Sequence, residues 1–442
     1  MARKIHYQEN PLSLRQHGKQ DQAIEYPGNL PVFDKFGGCG THPLFKLLQT
    51  PPSGYSFIHS EDAVSDPSLT EIRSYALRFA FDCWKKGASL KSIYKFIKTR
   101  DLGSQKLIGR RNTPLVFFPS VPFHLNQFPW VVEIEDSTSL FFPFVSNGST
   151  KNLRPVSQAK YFPIYREIFH SSHCRGIITH VKSTAESLPI LFDSPALAKK
   201  IFHIPLGIIP PGWDGVMKLK KEKKDEILIL FTNSWHQDST NFYLRGGLEV
   251  LEAFAAVKSK CPSAKLLIRS EIPRDLAQRY PRHHEIIRGP GVEVLDHFLE
   301  RHDWERLRAQ ADYFILPSAR IHVVSILEAM AYGMTLITSN GWGIEEYARN
   351  DHNAVVVPGR DRVTWMDWDT GILREDYPLM YKTDQEIAGA MAKAILDLNA
   401  NRPLKDKLTL QARADVEQIF TVRNWNDKLK SALDFMTSGA TT

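Results

Sequence analysis

The chain has 442 residues, 43% of them hydrophobic and 24% charged, with a net charge of +7. That length exceeds one ordinary core and points to two α/β domains, and the composition is that of a folded globular protein. No apolar run approaches the ~18–20 residues of a membrane span, and the N-terminal stretch lacks the apolar core of a signal peptide. Cys39, Cys83, Cys174 and Cys261 form no CxxC pair, which argues against a disulfide framework and a zinc site. The positive charge suits acidic partners such as nucleotide phosphates or anionic lipid headgroups, and reads equally as a solvated surface. A cytoplasmic protein is expected, with peripheral contact to an anionic membrane as an option. Aromatic and basic residues are not interleaved as in an RNA module, so no nucleic-acid partner is expected.

In the first half, residues 55–58, 115–118, 131–134 and 176–179 are candidate strands. Asp66-Pro67 opens a helix with Leu69, Ile72, Ala76, Phe79 and Cys83 on one face, closed by Gly87. Ser183-Thr184-Ala185-Glu186 opens another. Residues 210–225 join a Pro-Pro-Gly turn to a charged run and read as a solvated linker.

The second half alternates strands with helices. Residues 227–231 form a continuous apolar run, the pattern of a strand buried on both faces. Residues 247–258 place Leu248, Leu251, Phe254 and Ala255 on one helical face, and Cys261-Pro262 ends that helix. Strands follow at 266–268, 292–295, 313–316, 336–338 and 354–357. A doubly wound parallel sheet of this kind binds ligands at the carboxyl ends of its strands. Residues 420–436 carry a last helical stripe, Trp425, Leu429, Ala432 and Met436, with nothing local to bury it.

Residues 303–359 hold the most informative series. Pro317-Ser318 ends a strand; Leu327-Glu328-Ala329-Met330-Ala331-Tyr332-Gly333 follows a loop; Gly341-Trp342-Gly343-Ile344-Glu345-Glu346 follows the next strand. In this order the segment resembles the donor-binding half of family 4 glycosyltransferases, a retaining group with the GT-B fold. Arg245-Gly246-Gly247 before Leu251-Glu252-Ala253-Phe254, and Pro205-Leu206-Gly207-Ile208, resemble further parts of that family. The resemblance covers roughly residues 200–435. It implies an α/β fold of two Rossmann-like domains facing across a cleft: an acceptor-side domain over 1–212, a nucleotide-sugar domain over 213–420, and a helix over 421–442 crossing back.

The residues agree with that chemistry. A diphosphate needs backbone N–H groups at a helix start and a fixed cation. The loop 320–325 enters the helix bearing Glu328, Ser325 is placed to cap it or to meet phosphate, and Arg245 offers a fork donor. The matching family Glu holds the ribose hydroxyls, which gives Glu328 that role by resemblance. Taken singly, Glu328 also reads as a partner for the helix dipole and Arg245 as a surface charge. Gly37 and Gly38 resemble the family's first glycine loop, which approaches the donor phosphate.

Three departures stand out. Arg320 occupies the place of a family Glu that holds the donor sugar; an Arg cannot accept a hydrogen bond, so Arg320 or His322 is expected to meet an acidic sugar or phosphate. The family's strand-end Arg is missing, leaving Asn233 or Ser234 there and Arg269 as a substitute. The family's His-Asp pair near the reacting sugar is replaced by Glu135-Asp136. Glu135 and Arg245 are the candidate catalytic residues, with Asp136 and His124 on the acceptor side. Asp367-Trp368-Asp369 resembles a metal motif of the other large glycosyltransferase fold but follows the nucleotide-domain strands, so no metal and no cofactor are expected. The expected function is transfer of a hexosyl group from a nucleotide diphosphate sugar to a carbohydrate or lipid-linked hydroxyl, as in polysaccharide biosynthesis, with retention and without metal. The alternative is a catalytically silent sugar-nucleotide-binding or scaffold protein.

Overall fold

The computed structural model describes residues 21–26, 47–59, 69–100, 113–119, 124–148, 150–221, 226–233, 240–297 and 299–438. Gly37, Gly38 and Ser234 lie outside them.

Two six-stranded parallel sheets carry the chain. The first contains β1 (Gln22–Tyr26), β2 (Tyr55–His59), β3 (Val116–Pro119), β4 (Trp130–Ile134), β5 (Cys174–Thr179) and β6 (Ile201–His203), ordered 2-1-3-4-5-6. The second contains β7 (Leu228–Thr232), β8 (Lys265–Arg269), β9 (Val292–Val294), β10 (Tyr313–Leu316), β11 (Thr335–Ser339) and β12 (Val355–Val357), ordered 12-11-10-7-8-9. This is the doubly wound order, and the strand sequence reverses between β7 and β10, so a crevice opens beyond their carboxyl ends. Helices on both faces explain why β7, β10 and β11 are buried at every residue.

The helix Leu69–Lys85 buries Ile72, Ala76, Phe79 and Cys83. Residues 210–225 are not a plain linker: Trp213–Lys221 is helical. Trp213 sits against Gly333, where a Cβ would lie 2.7 Å from the indole, and Arg413 Cζ lies over the ring, 5.1 Å from its centroid. Lys218 and Lys221 of that helix are exposed, Lys220 donates to Gly333 O, and Val216 is buried beside the Trp213 anchor.

A hairpin of β13 (Thr364–Asp367) and β14 (Ile372–Glu375) leaves the second domain and seats on the first. Leu373 N donates to Ser137 Oγ at 3.2 Å, Thr150 Oγ1 donates to Leu373 O at 2.8 Å, and Ile372 joins the first domain's core. The last helix, Val422–Thr437, buries Trp425, Leu429, Ala432 and Met436. It lies on the first sheet: Tyr55 OH donates to Asp434 at 2.8 Å and the Phe202 and Phe435 rings meet at 5.6 Å.

Candidate functional site

The switch point of the second sheet is built from three loops that cross closely. Ala319 N donates to Leu244 O at 3.2 Å, Trp342 N to Ala319 O at 3.0 Å, and Ile321 N to Trp342 O at 2.8 Å. Two glycines permit the crossing. Gly246 has φ +81°, and a Cβ there would lie 2.6 Å from Pro317 O; a Cβ on Gly341 would lie 2.2 Å from Ser318 O. Gly341→Ala is expected to destabilise the protein by about 1–3 kcal/mol through overpacking, read as a lower urea midpoint.

Arg245 follows β7 and is 5% exposed. Its Nη1 donates to Ser318 Oγ (3.0 Å), Arg320 O (3.2 Å) and Ile321 O (3.3 Å), while its Nε has no hydrogen-bond partner among the described residues. Burial lowers its pKa to about 10, against the opposing pull of Glu135, so it remains a cation at neutral pH. Its charge reaches His322, the residue before the helix Val323–Ala331, whose pKa falls to about 3 by burial and by Arg245. A neutral imidazole and a buried cation therefore stand together at the start of that helix.

Arg320 points across to the first domain. Nη2 donates to Glu135 Oε1 and Asp136 Oδ2, both at 2.7 Å, and Nη1 to Glu375 Oε1 at 3.2 Å. Burial opposes its charge, but Asp136, Tyr377, Glu135 and Glu375 hold its pKa well above the ordinary value. Three carboxylates already surround it, which corrects the expectation that it awaits an anionic ligand.

Those carboxylates differ. Glu375 is 0% exposed, accepts from Gly148 N and Tyr377 OH, and has its pKa raised by burial and by Asp136. Asp136 is 4% exposed; Oδ1 caps the turn through Thr138 N (2.8 Å) and Ser139 N (2.9 Å) while Oδ2 holds Arg320. That sealed position corrects its assignment to the acceptor side. Glu135 keeps 34% of its side chain exposed. Burial works to raise its pKa, and Arg320, His180 and Arg245 together hold it far below the carboxylate range. It is thus a lasting anion open to the crevice.

His180 stands one residue past β5 and belongs to no motif in the sequence. Its Nδ1 lies 2.6 Å from Glu133 Oε1 and its Nε2 3.7 Å from Glu135 Oε2. Burial disfavours the charged ring, yet Glu133 and Glu135 push its pKa up to about 10. A folded-state value above the ordinary ~6.5 means that its stabilisation is complete below pH about 6.5 and fades as pH rises through about 10. The melting temperature of the wild type should fall relative to that of His180→Gln between those limits; parallel profiles would contradict the charged ring.

The other expected residues are dispersed. His124 is fully buried beside Trp130 (4.4 Å) and Phe118 (5.1 Å), near the amino end of β4 and away from Glu135 at its carboxyl end. It accepts from Asn126 N, and its place in the aromatic core corrects its acceptor-side assignment. Asn233 is buried at the end of β7 and donates to Ser270 Oγ at 3.4 Å. Ser325 does not cap its helix, because that helix begins two residues earlier with His322 at the cap position. Glu328 meets Arg308 Nη1 at 2.8 Å and influences Arg269, rather than meeting Arg245. Its side chain retains 32% exposure. Asp367 is held by Arg374 Nε and Nη2 and by the turn amides of Asp369 and Thr370.

Residues 241–367 match the family model described as Glycosyl transferases group 1. That match lies wholly within the second domain and its hairpin. The whole chain has the GT-B fold. It superposes on a Rickettsia africae glycosyltransferase with a TM-score of 0.53 at 13% identity, covering 95% of this chain and 100% of that one. It superposes on Anabaena HepE, solved with UDP and glucose, with a TM-score of 0.54 at 13% identity over 94% and 100%. The N-terminal domain of Candida albicans trehalose-6-phosphate phosphatase gives 0.57 at 14% identity over 96% and 99%. No curated protein sequence matches the chain. The matched segment includes Arg245, the loop after β10 and Glu328.

Proposed function

We propose that this protein transfers a hexosyl group from a nucleotide diphosphate sugar to a hydroxyl of a glycan or glycolipid, with retention of configuration and without a metal. The observation that carries the reading is Arg245: a desolvated guanidinium, anchored through Nη1, with no partner for Nε among the described residues, at the switch point of the domain that matches the group 1 model. A buried cation with a spare donor suits a diphosphate oxygen.

In this reading the diphosphate lies over the start of the helix Val323–Ala331, where unpaired N–H groups and the helix dipole add to Arg245. Glu328, still a third exposed, takes the ribose hydroxyls at the far side of the same helix. As the bond from the anomeric carbon to the leaving oxygen lengthens, negative charge grows on the phosphate and Arg245 stabilises it. Positive charge grows on the sugar ring, and Glu135, the exposed carboxylate of the cluster, faces it from the first domain. The leaving phosphate takes the acceptor's proton on the same face of the sugar.

The test is release of nucleoside diphosphate from UDP-, GDP- and ADP-sugars with glycan and lipid-linked acceptors. NMR of the product gives the anomeric configuration. Release that requires an acceptor, survives EDTA and retains configuration supports the reading. EDTA-sensitive transfer would remove metal independence, and nucleotide binding without turnover across the panel would favour a silent binding protein.

A further inference from the structure

Twelve large apolar side chains stand exposed among the described residues, and six of them lie between positions 75 and 94: Tyr75, Leu77, Phe81, Trp84, Leu90 and Tyr94. Such clustering on one short stretch is not the scatter normal for a protein surface. The helix Leu69–Lys85 already buries Ile72, Ala76, Phe79 and Cys83, so Leu77, Phe81 and Trp84, spaced by four and three, make a second apolar stripe on its outer side. The next helix, Leu90–Thr99, buries Ile93 and Phe96 and leaves Leu90 and Tyr94, four apart, outside. Leu77 is 73% exposed and Leu90 69%.

The charges flanking these stripes have one sign. Residues 71–98 carry seven exposed basic side chains against two exposed acidic ones, Glu71 and Asp82. Two cations lean over the exposed rings: Lys85 Nζ lies 4.5 Å from the Phe81 centroid and Arg78 Cζ 5.5 Å from that of Tyr75. Aromatic and leucine crests bordered by lysine and arginine match the interface of an anionic bilayer, where rings sit at headgroup depth and long cations reach the phosphates. Exposed leucines are stabilised by an acyl boundary and cannot stack on bases, which favours lipid over nucleic acid. Among the described residues no helix is long and apolar enough to cross a membrane, so the contact is peripheral.

We propose that these two helices dock the first domain on an anionic lipid bilayer. The inference does not depend on the proposed transfer reaction. Vesicle flotation of the full chain, with phosphatidylcholine alone or mixed with phosphatidylglycerol, tests it. The wild type should float with the mixed vesicles, much less with the neutral ones, and less as salt rises. Phe81→Ser with Trp84→Ser, and separately Lys91→Glu with Lys95→Glu, should each weaken flotation at least about tenfold. All four side chains are exposed, so melting temperature and nucleotide binding should stay unchanged in both pairs. Absence of flotation, flotation that both pairs retain, a wild-type dimer that the Phe81/Trp84 pair dissolves, or binding of RNA instead of vesicles would each overturn the proposal.

Discussion

Arg245→Ala should lower kcat/KM for sugar transfer by about 10²–10³-fold, the usual loss when one donor to a developing anion is removed. Charge accumulates on the diphosphate as the glycosidic bond breaks, so most of the loss should fall on kcat rather than KM. Arg245 also ties Ser318 to the carbonyls of Arg320 and Ile321. The alanine variant therefore gives up some stability as well, about 1.5–3 kcal/mol for charged hydrogen bonds. Arg245→Lys separates the two effects, since it keeps the cation and loses the fork. It should recover part of the rate. Steady-state kinetics on both variants, alongside urea unfolding, reads the split; a lysine variant no better than alanine would mean that the arginine matters for loop structure alone.

Arg320→Ala should be the most destabilising single change at the site. It leaves Asp136 and Glu375, 4% and 0% exposed, beside Glu135 with no cation between them. Breaking a buried ion cluster by removing one partner costs about 3–5 kcal/mol. The sign of the pH dependence follows from the carboxylates. In the wild type the depressed pKa of Glu135 adds stability that is present above the unfolded value of about 4.3 and lost as pH falls. In the variant mutual repulsion raises the carboxyl pKa values, so stability is regained as pH falls. The gap between the two proteins should be widest near neutrality and should close in acid. A constant gap from pH 7 to pH 4 would mean that packing, not charge, is what Arg320 supplies.

The second sheet was legible because its strands are short apolar runs between helical patterns, and parallel strands buried on both faces must read that way. The first sheet was less so. Gln22–Tyr26 contains Gln22 and a Glu25 that is fully buried, and Ile201–His203 is three residues long. Neither carries an apolar run or an alternation. The helix at Trp213–Lys221 was hidden by its lysines, and the hairpin at 364–375 turns through Thr370-Gly371, a weak signal. Gly371 takes φ +68° in that turn, a conformation that glycine adopts without strain.

For the site, residue order revealed which side chains stand at strand ends but not what they face. Arg320 and Glu135 are 185 positions apart, and Arg320 and Glu375 are 55 apart. The sequence shows an arginine where the related family has a glutamate, and two carboxylates where it has a His-Asp pair. The structure shows that these departures meet: the arginine of one domain is held by the acids of the other. His180 had no signal of its own, because its charge is created by Glu133 and Glu135. Glu328 and His124 were drawn off by Arg308 and by an aromatic cluster, long-range contacts that no local pattern encodes.

The most direct check is a melting-temperature series with UDP, GDP, ADP and CDP on the wild type and Arg245→Ala. Ligand held by the native state alone adds about 2.7 kcal/mol at one hundred times Kd. One of the four should raise the melting temperature of the wild type in a concentration-dependent way and raise that of the variant by less at the same concentration. Four flat titrations, or an equal rise in both proteins, would contradict a diphosphate seat at Arg245.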